Sequence, residues 1–131
     1  QIAAIEAGDR PPVLRVGNLT PYRDYVDIRD AVRALGMLWE NGKSGQVYNI
    51  CSGQPVQVQH VVDTLVGLAR CPITVEPDPD RQRPSDIPFC AGDPARIRDA
   101  IGWTPAYTLE RTLADTLNGW RVAYARRSGQ Q

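Results

Sequence analysis

Apolar residues recur along the chain in two rhythms, short β-rich runs and longer stretches at helical spacing. Val13-Leu14-Arg15-Val16 follows Pro11-Pro12 and ends at Gly17-Asn18, the pattern of a short strand closed by a turn. Tyr22 to Val26 has the make-up of a second, shorter extended piece. From Ile28 to Asn41 the spacing predicts an amphipathic helix, with Ile28, Ala31, Val32, Leu35, Leu38 and Trp39 as its apolar face. Asp27 is placed to N-cap that helix, Asp30 sits near the positive end of its dipole, and Asn41-Gly42 stops it. Gln46 to Cys51 (QVYNIC) carries the strongest strand signal, with Ser52-Gly53-Gln54-Pro55 as the turn after it. Val58 to Ala69 reads as a second helix with Val58, Val61, Val62, Leu65, Val66 and Ala69 inward. Ile73 to Glu76 is a further strand.

Pro77 to Pro88 breaks the rhythm, with four prolines and five charged residues. A structureless run of that length inside a small domain is more often functional than filler. Asp93 caps a predicted short helix over Pro94 to Ala100, since proline is tolerated in a first turn. Ile101-Gly102-Trp103-Thr104-Pro105 ends it, and Thr108 opens a last helix from Leu109 to about Ala125. The stripe of that helix is Leu109, Leu113, Leu117, Trp120 and Tyr124. The alternation predicts one small mixed α/β domain over residues 1–125, with 126–131 as a flexible tail.

Composition narrows the function more than the fold. The 131 residues are 42% hydrophobic and 23% charged with net charge zero, so nothing draws the chain to nucleic acid or to an anionic membrane. No apolar run approaches the ~18 residues of a membrane span. Fourteen of the fifteen basic residues are Arg and only Lys43 is Lys, which a GC-rich coding bias explains. Cys51, Cys71 and Cys90 are odd in number and lack C-x-x-C spacing, so reduced thiols in a cytoplasmic protein are expected. The chain opens at Gln1, and Gln1 to Ala7 reads as the tail of a helix whose start lies upstream, as in a truncated or processed chain.

Several motifs have plain explanations. Asn41-Gly42-Lys43-Ser44 has the ending of a phosphate-binding loop, but the first glycine is out of register and the segment follows a helix, not a strand. It is a helix stop. His60 is the only histidine and has no nucleophile or second ligand to work with. Trp39, Trp103 and Trp120 have settings that suit core packing, and Arg29 and Arg33 suit surface ion pairs.

Arg23 and Arg83 are different. Arginine offers a flat set of N–H donors that fits phosphate in two-point fashion. Two of them, each near a carboxylate able to hold the guanidinium in place, suit a nucleotide diphosphate. Arg23 precedes a helix at a strand end, where α/β folds bind ligands. Arg83 lies in the long loop beside Pro84, with Asp86 able to accept from it or from a ribose hydroxyl, and Arg81 competes with it for the role.

Taken in order, Val16-Gly17-Asn18-Leu19, Arg23-Asp24-Tyr25-Val26-Asp27-Ile28-Arg29-Asp30, Val47 to Gly53, Arg83 to Pro88, Gly92-Asp93 and Ile101 to Pro105 resemble the C-terminal part of extended short-chain dehydrogenases/reductases. The likeness is to the nucleotide-sugar epimerases and dehydratases, in the GDP-mannose branch. It implies a small substrate-binding domain lacking most of the Rossmann sheet. It implies further that Gly17, Asn18 and Leu19 border guanine, that Arg23 and Arg83 hold the diphosphate, and that Asp86 supports the ribose. Within the branch, the YNICSG and RPSDIP forms favour reductases that yield GDP-D-rhamnose over GDP-mannose 4,6-dehydratases. The NADP(H) of such enzymes belongs to a Rossmann region with a glycine loop and a Tyr-x-x-x-Lys pair, and neither motif occurs in this sequence. The expected partners are therefore a GDP-sugar, the Rossmann half, and a second copy through exposed apolar surface. Hydride transfer by this chain alone is not expected. The rival expectation is a non-catalytic interaction domain, for which GDP recognition is not required.

Overall fold

The computed structural model describes residues 1–82 and 87–128. In chain order they form α1 (Ile2–Glu6), β1 (Val13–Val16), β2 (Tyr22–Asp24), α2 (Ile28–Asn41), β3 (Pro55–Gln57), α3 (Val58–Gly67), β4 (Thr74–Pro77), α4 (Ala95–Ile101) and α5 (Leu109–Ser128), with a 3-10 turn at Pro79–Arg81. β1 and β4 pair in parallel from Val13 opposite Thr74 to Val16 opposite Pro77. β2 and β3 pair antiparallel, Tyr22 opposite Gln57 and Arg23 opposite Val56. On its other edge β2 makes a parallel bridge between Tyr22 and Phe89. The result is a small mixed α/β unit in which, among the described residues, the one parallel sheet has two strands.

Two apolar clusters hold it. Ile2, Leu14 and Leu117 are buried together, with Val16, Val62, Leu65, Val66, Ile73 and Val75 packed around them. Ala34, Ile97 and Trp103 form the second, with Val26, Met37, Leu38, Tyr48 and Ile50. The inward stripes expected of the Val58 and Leu109 helices thus find partners through Val62, Leu65, Val66 and Leu117. Only Trp103 of the three tryptophans is buried; Trp39 and Trp120 are exposed, contrary to the core role expected for them.

Two expectations about the elements need correction. Four of the six residues expected on the apolar face of α2 point to solvent, Ile28 at 73% exposed, Val32 at 61%, Leu35 at 59% and Trp39 at 91%, while Leu38 at the margin of that face packs on the Trp103 cluster. Its inward edge carries Asp30 and Ala34 instead, both fully buried. The exposed positions fall at i, i+4, i+7 and i+11, the seam spacing of a helix that packs on another helix. Periodicity identified the helix and its apolar side correctly; within the described residues nothing packs on that side. The second correction concerns residues 46–51, which are extended but not a strand. Tyr48 and Ile50 pack on the Trp103 cluster while Val47 is 74% exposed, so the alternation is real. A strand needs a ladder partner, and among the described residues there is none beside it. The last helix, α5, runs to Ser128 and takes in Arg126 and Arg127.

Arg29 and Arg33 do pair, with the buried carboxylates of Asp27 and Asp30, and Arg29 reaches the partly exposed Asp115 as well. Asp27 accepts from Arg29 N at 2.8 Å, which makes it the N-cap of α2, and from Arg29 Nη2 at 2.7 Å and Thr112 Oγ1 at 2.7 Å. Asp30 accepts from Arg33 Nη2 at 2.7 Å and from the N–H groups of Ala106 and Tyr107, both at 2.9 Å. Trp103 Nε1 donates to the Asp30 carbonyl at 3.1 Å. The linker before α5 is thereby fastened to the first turn of α2.

A second ion pair joins the two ends of the chain. Arg121 donates from Nε to Glu6 Oε2 at 2.7 Å and from Nη2 to Oε1 at 2.6 Å, and Glu6 also accepts from Arg70 N at 2.9 Å. The Arg121 hydrogen bonds outweigh burial and pull the Glu6 carboxyl from its ordinary 4.5 down to about 2. Because the folded value is depressed, the unfolded chain binds more protons between these limits. The pair's contribution is complete above about pH 4.5 and lost as pH falls through about 2. Replacing Glu6 by Gln leaves a buried guanidinium without its counter-charge and should cost about 3 kcal/mol at pH 7. Urea denaturation of Glu6→Gln and the unchanged chain at pH 7 and pH 3 should show the gap narrowing at the lower pH. By contrast, Leu35→Glu and Trp39→Glu should each move folding stability by less than about 0.5 kcal/mol, as surface changes do, and the same denaturation measurement checks it.

Candidate functional site

β2 brings the site together. It is a central strand, with β3 on one edge and residues 88–90 on the other: Tyr22 N donates to Pro88 O at 2.9 Å and Cys90 N to Tyr22 O at 3.2 Å. Arg23 is therefore half-buried at the middle of a three-segment junction. Its Nη1 donates to the Tyr22 carbonyl at 2.7 Å, which turns the guanidinium back along its own strand.

Asp24, which the sequence suggested as a holder of the neighbouring guanidinium, instead gathers donors from two other segments. Its Oδ1 accepts from Ser52 N at 2.8 Å and Ser52 Oγ at 2.5 Å; its Oδ2 accepts from Gly53 N at 2.9 Å and Gly92 N at 3.2 Å. Burial pushes this carboxyl upward, but the bonds from Ser52, Gly92 and Gly53 outweigh it and leave the group below its ordinary value. It is an ionised acceptor at neutral pH. Gly92 has to be glycine here, because a Cβ would collide with Cys51 Sγ.

Residues 17–19 are also tied down. A Cβ on Gly17 would lie 2.6 Å from the Arg81 carbonyl oxygen, so the end of β1 and the 3-10 turn touch backbone to backbone. Gln82 Nε2 donates to Val16 O at 3.3 Å at the same place. Asn18 Oδ1 accepts from Thr20 N at 3.0 Å and Thr20 Oγ1 at 2.8 Å. The Leu19 and Pro21 carbonyls accept from Gln59 N at 3.0 Å and Val58 N at 2.9 Å, and so cap α3, which has no side-chain cap of its own. Arg81, the competitor to Arg83, is paired with Asp78 at 3.0 Å. Arg83 and Asp86 lie outside the described residues. The described chain on either side of them is anchored at Gln82 on the end of β1 and at Pro88 on β2.

A distinct cleft lies elsewhere. It holds about 630 Å³ and is lined by Tyr25, Gln54, His60, Trp103, Tyr107 and Glu110 among others, with none of Gly17, Asn18, Leu19 or Arg23. The guanidinium of Arg29 stacks on Tyr107 at 3.8 Å to the ring centroid near it. Sequence reasoning passed over this surface because Tyr25, Tyr107 and His60 carry no spacing signal that links them. Among the described residues no cluster of His, Cys, Asp or Glu is arranged to hold a metal, and no helix is long and apolar enough to cross a membrane.

The model of the family described as GDP-mannose 4,6 dehydratase matches residues 1–116. This chain belongs to that family. GDP-6-deoxy-D-mannose reductase of Pseudomonas aeruginosa is 32% identical over 120 residues, 92% of this chain and 40% of the relative. The solved structure of RMD from Pseudomonas aeruginosa complexed with NADPH superposes with a TM-score of 0.87 at 31% identity, over 94% of this chain and 40% of that one. A UDP-glucose 4-epimerase from Bifidobacterium longum, solved with NAD+ and UDP, shares the fold at 24% identity and a TM-score of 0.72. The chain thus spans about 40% of the length of the reductase it matches, and the short-chain dehydrogenase resemblance of the sequence holds for the family.

Family members bind a nicotinamide dinucleotide, so its fit to these residues is a fair question. Neither parallel strand runs through a glycine loop into a helix N-terminus: β1 leads to β2, and β4 leads to the 3-10 turn. The described residues do not fit the cofactor, and no hydride step is assigned to them.

Burial, and then the Asp24 charge, push the Cys51 thiol up, whereas Cys90 is exposed. With less thiolate and less access, Cys51 should alkylate several-fold more slowly than Cys90 in iodoacetamide at pH 8, as peptide mass spectrometry can time.

Proposed function

We propose that this chain is the substrate-holding portion of a GDP-sugar oxidoreductase, most like the reductases that convert GDP-4-keto-6-deoxy-D-mannose to GDP-D-rhamnose. Membership of the GDP-mannose family and the junction that presents Arg23 at the centre of three segments support this reading. In it, Arg23 and Arg83 grip the diphosphate, Asp86 takes the ribose, and the backbone of Gly17, Asn18 and Leu19 borders the guanine. The grip is remote from the reacting carbon, so its binding energy positions the sugar for chemistry done elsewhere. NADP(H) and the proton-transferring tyrosine belong to a dinucleotide-binding portion beyond these residues. The bare seam of α2 and the unladdered segment 46–51 are the surfaces on which that portion would pack, since one offers an apolar helix face and the other backbone without a ladder partner. A GDP-mannose 4,6-dehydratase would use the same grip, because the two reactions differ at the sugar and not at the nucleotide. A non-catalytic interaction domain would not need it.

Calorimetric titration of the chain with GDP separates these readings. Binding is expected, and Arg23→Ala should weaken it roughly 10- to 100-fold, the worth of one or two charge-assisted bonds. Failure of the unchanged chain to take up GDP would favour the interaction domain. Binding that Arg23→Ala leaves intact would remove Arg23 from the grip.

A further inference from the structure

Asp24 receives four hydrogen bonds from two segments that are far apart in sequence, the Ser52-Gly53 turn and Gly92. It sits next to Arg23 on the strand that carries the proposed phosphate contact. No other described residue joins these three pieces of chain through one side chain. Around it the packing leaves little slack: Gly92 lies against Cys51, Gly53 lies against Pro94, and Phe89 stacks near Tyr22 with centroids 5.9 Å apart. Gly92 belongs to the segment that pairs with β2 through Pro88 and Cys90. The carboxylate thus sets the distance from β2 to both of its neighbours just where Arg23 emerges.

We infer that Asp24 is the positioning residue of the nucleotide-sugar site, holding the Ser52-Gly53 turn and the 88–92 segment against β2 so that Arg23 is presented in one geometry. The inference rests on the proposed function, because it assumes that Arg23 meets the diphosphate. The chemistry allows a sharp substitution. A carboxylate accepts at both oxygens, whereas an amide accepts at one and donates at the other. In Asp24→Asn one side must face an N–H with an N–H, so either Ser52 or the Gly53–Gly92 pair is released. Arg23 itself is unchanged in that variant, and so is the charge of every other residue.

The test pairs affinity with stability on the full chain, using GDP as the probe. Asp24→Asn should weaken GDP binding at least 10-fold by calorimetry, and Ser52→Ala, which removes one of the four bonds, should weaken it less. Asp27→Asn serves as the control, since Asp27 caps α2 and binds Arg29 and Thr112 without touching this junction. It should lower the melting temperature at least as far as Asp24→Asn does, yet leave GDP affinity within 2-fold. Proton–nitrogen NMR adds a readout free of ligand: the Ser52, Gly53 and Gly92 amide signals should move in Asp24→Asn and stay in place in Asp27→Asn. If GDP binds the unchanged chain and Asp24→Asn binds it equally well, the positioning role is wrong and the proposed function stands. If affinity merely tracks melting temperature across all three variants, Asp24 is a structural residue only. If the unchanged chain does not bind GDP, the proposed function fails and this role falls with it.

Discussion

A carboxylate inside a small protein has to be paid for with hydrogen bonds, and this chain buries two, Asp27 and Asp30, just after the half-buried Asp24. Stripping water from an ionised group costs several kcal/mol unless donors replace it. Each aspartate finds its donors in a different distant stretch: Asp24 at Ser52, Gly53 and Gly92, Asp27 at Thr112, Asp30 at Ala106 and Tyr107. Three residues apart, the three groups step from the end of β2 into the first turn of α2, and each ties a different part of the second half of the chain to that stretch. With two small apolar clusters to hold the fold, this ladder of carboxylates decides where the second half of the chain goes.

That constraint also explains the inverted helix. A helix whose inner edge must present Asp30 to the linker before α5 cannot also turn Ile28, Val32, Leu35 and Trp39 inward, because these lie on its other side. Small Ala34 fills the inner edge instead and lets Trp103 and Ile97 close over it. Hydrophobic periodicity measures how one side of a helix differs from the other. It does not say which side meets this part of the protein.

The site divides in the same way. Arg23 was legible because arginine beside a strand end is a chemical signal carried by residue type and position. The hydrogen bonding of Asp24 was not, because three of its four donors are backbone N–H groups, which no sequence pattern marks. Gly17 and Gly92 stood out as glycines, but the reason for each is a neighbour from elsewhere in the chain, the Arg81 carbonyl in one case and the Cys51 sulfur in the other. The family was readable from several ordered motifs together.

What the sequence determined by itself is local: the start and stop of α2 at Asp27 and Gly42, the short β-rich runs at Val13 and Thr74, the helix opened at Thr108, and the family. These depend on capping, side-chain branching and spacing, which act within a few residues. What only the tertiary structure decided is partnership. It set that Gln46 to Cys51 has no ladder beside it, that Arg29 and Arg33 neutralise interior carboxylates, and that one aspartate gathers three segments at the candidate site. Burial and hydrogen-bond completion are properties of the assembled surface around a residue, and for Asp24 that surface comes from residues 28 and 68 positions away.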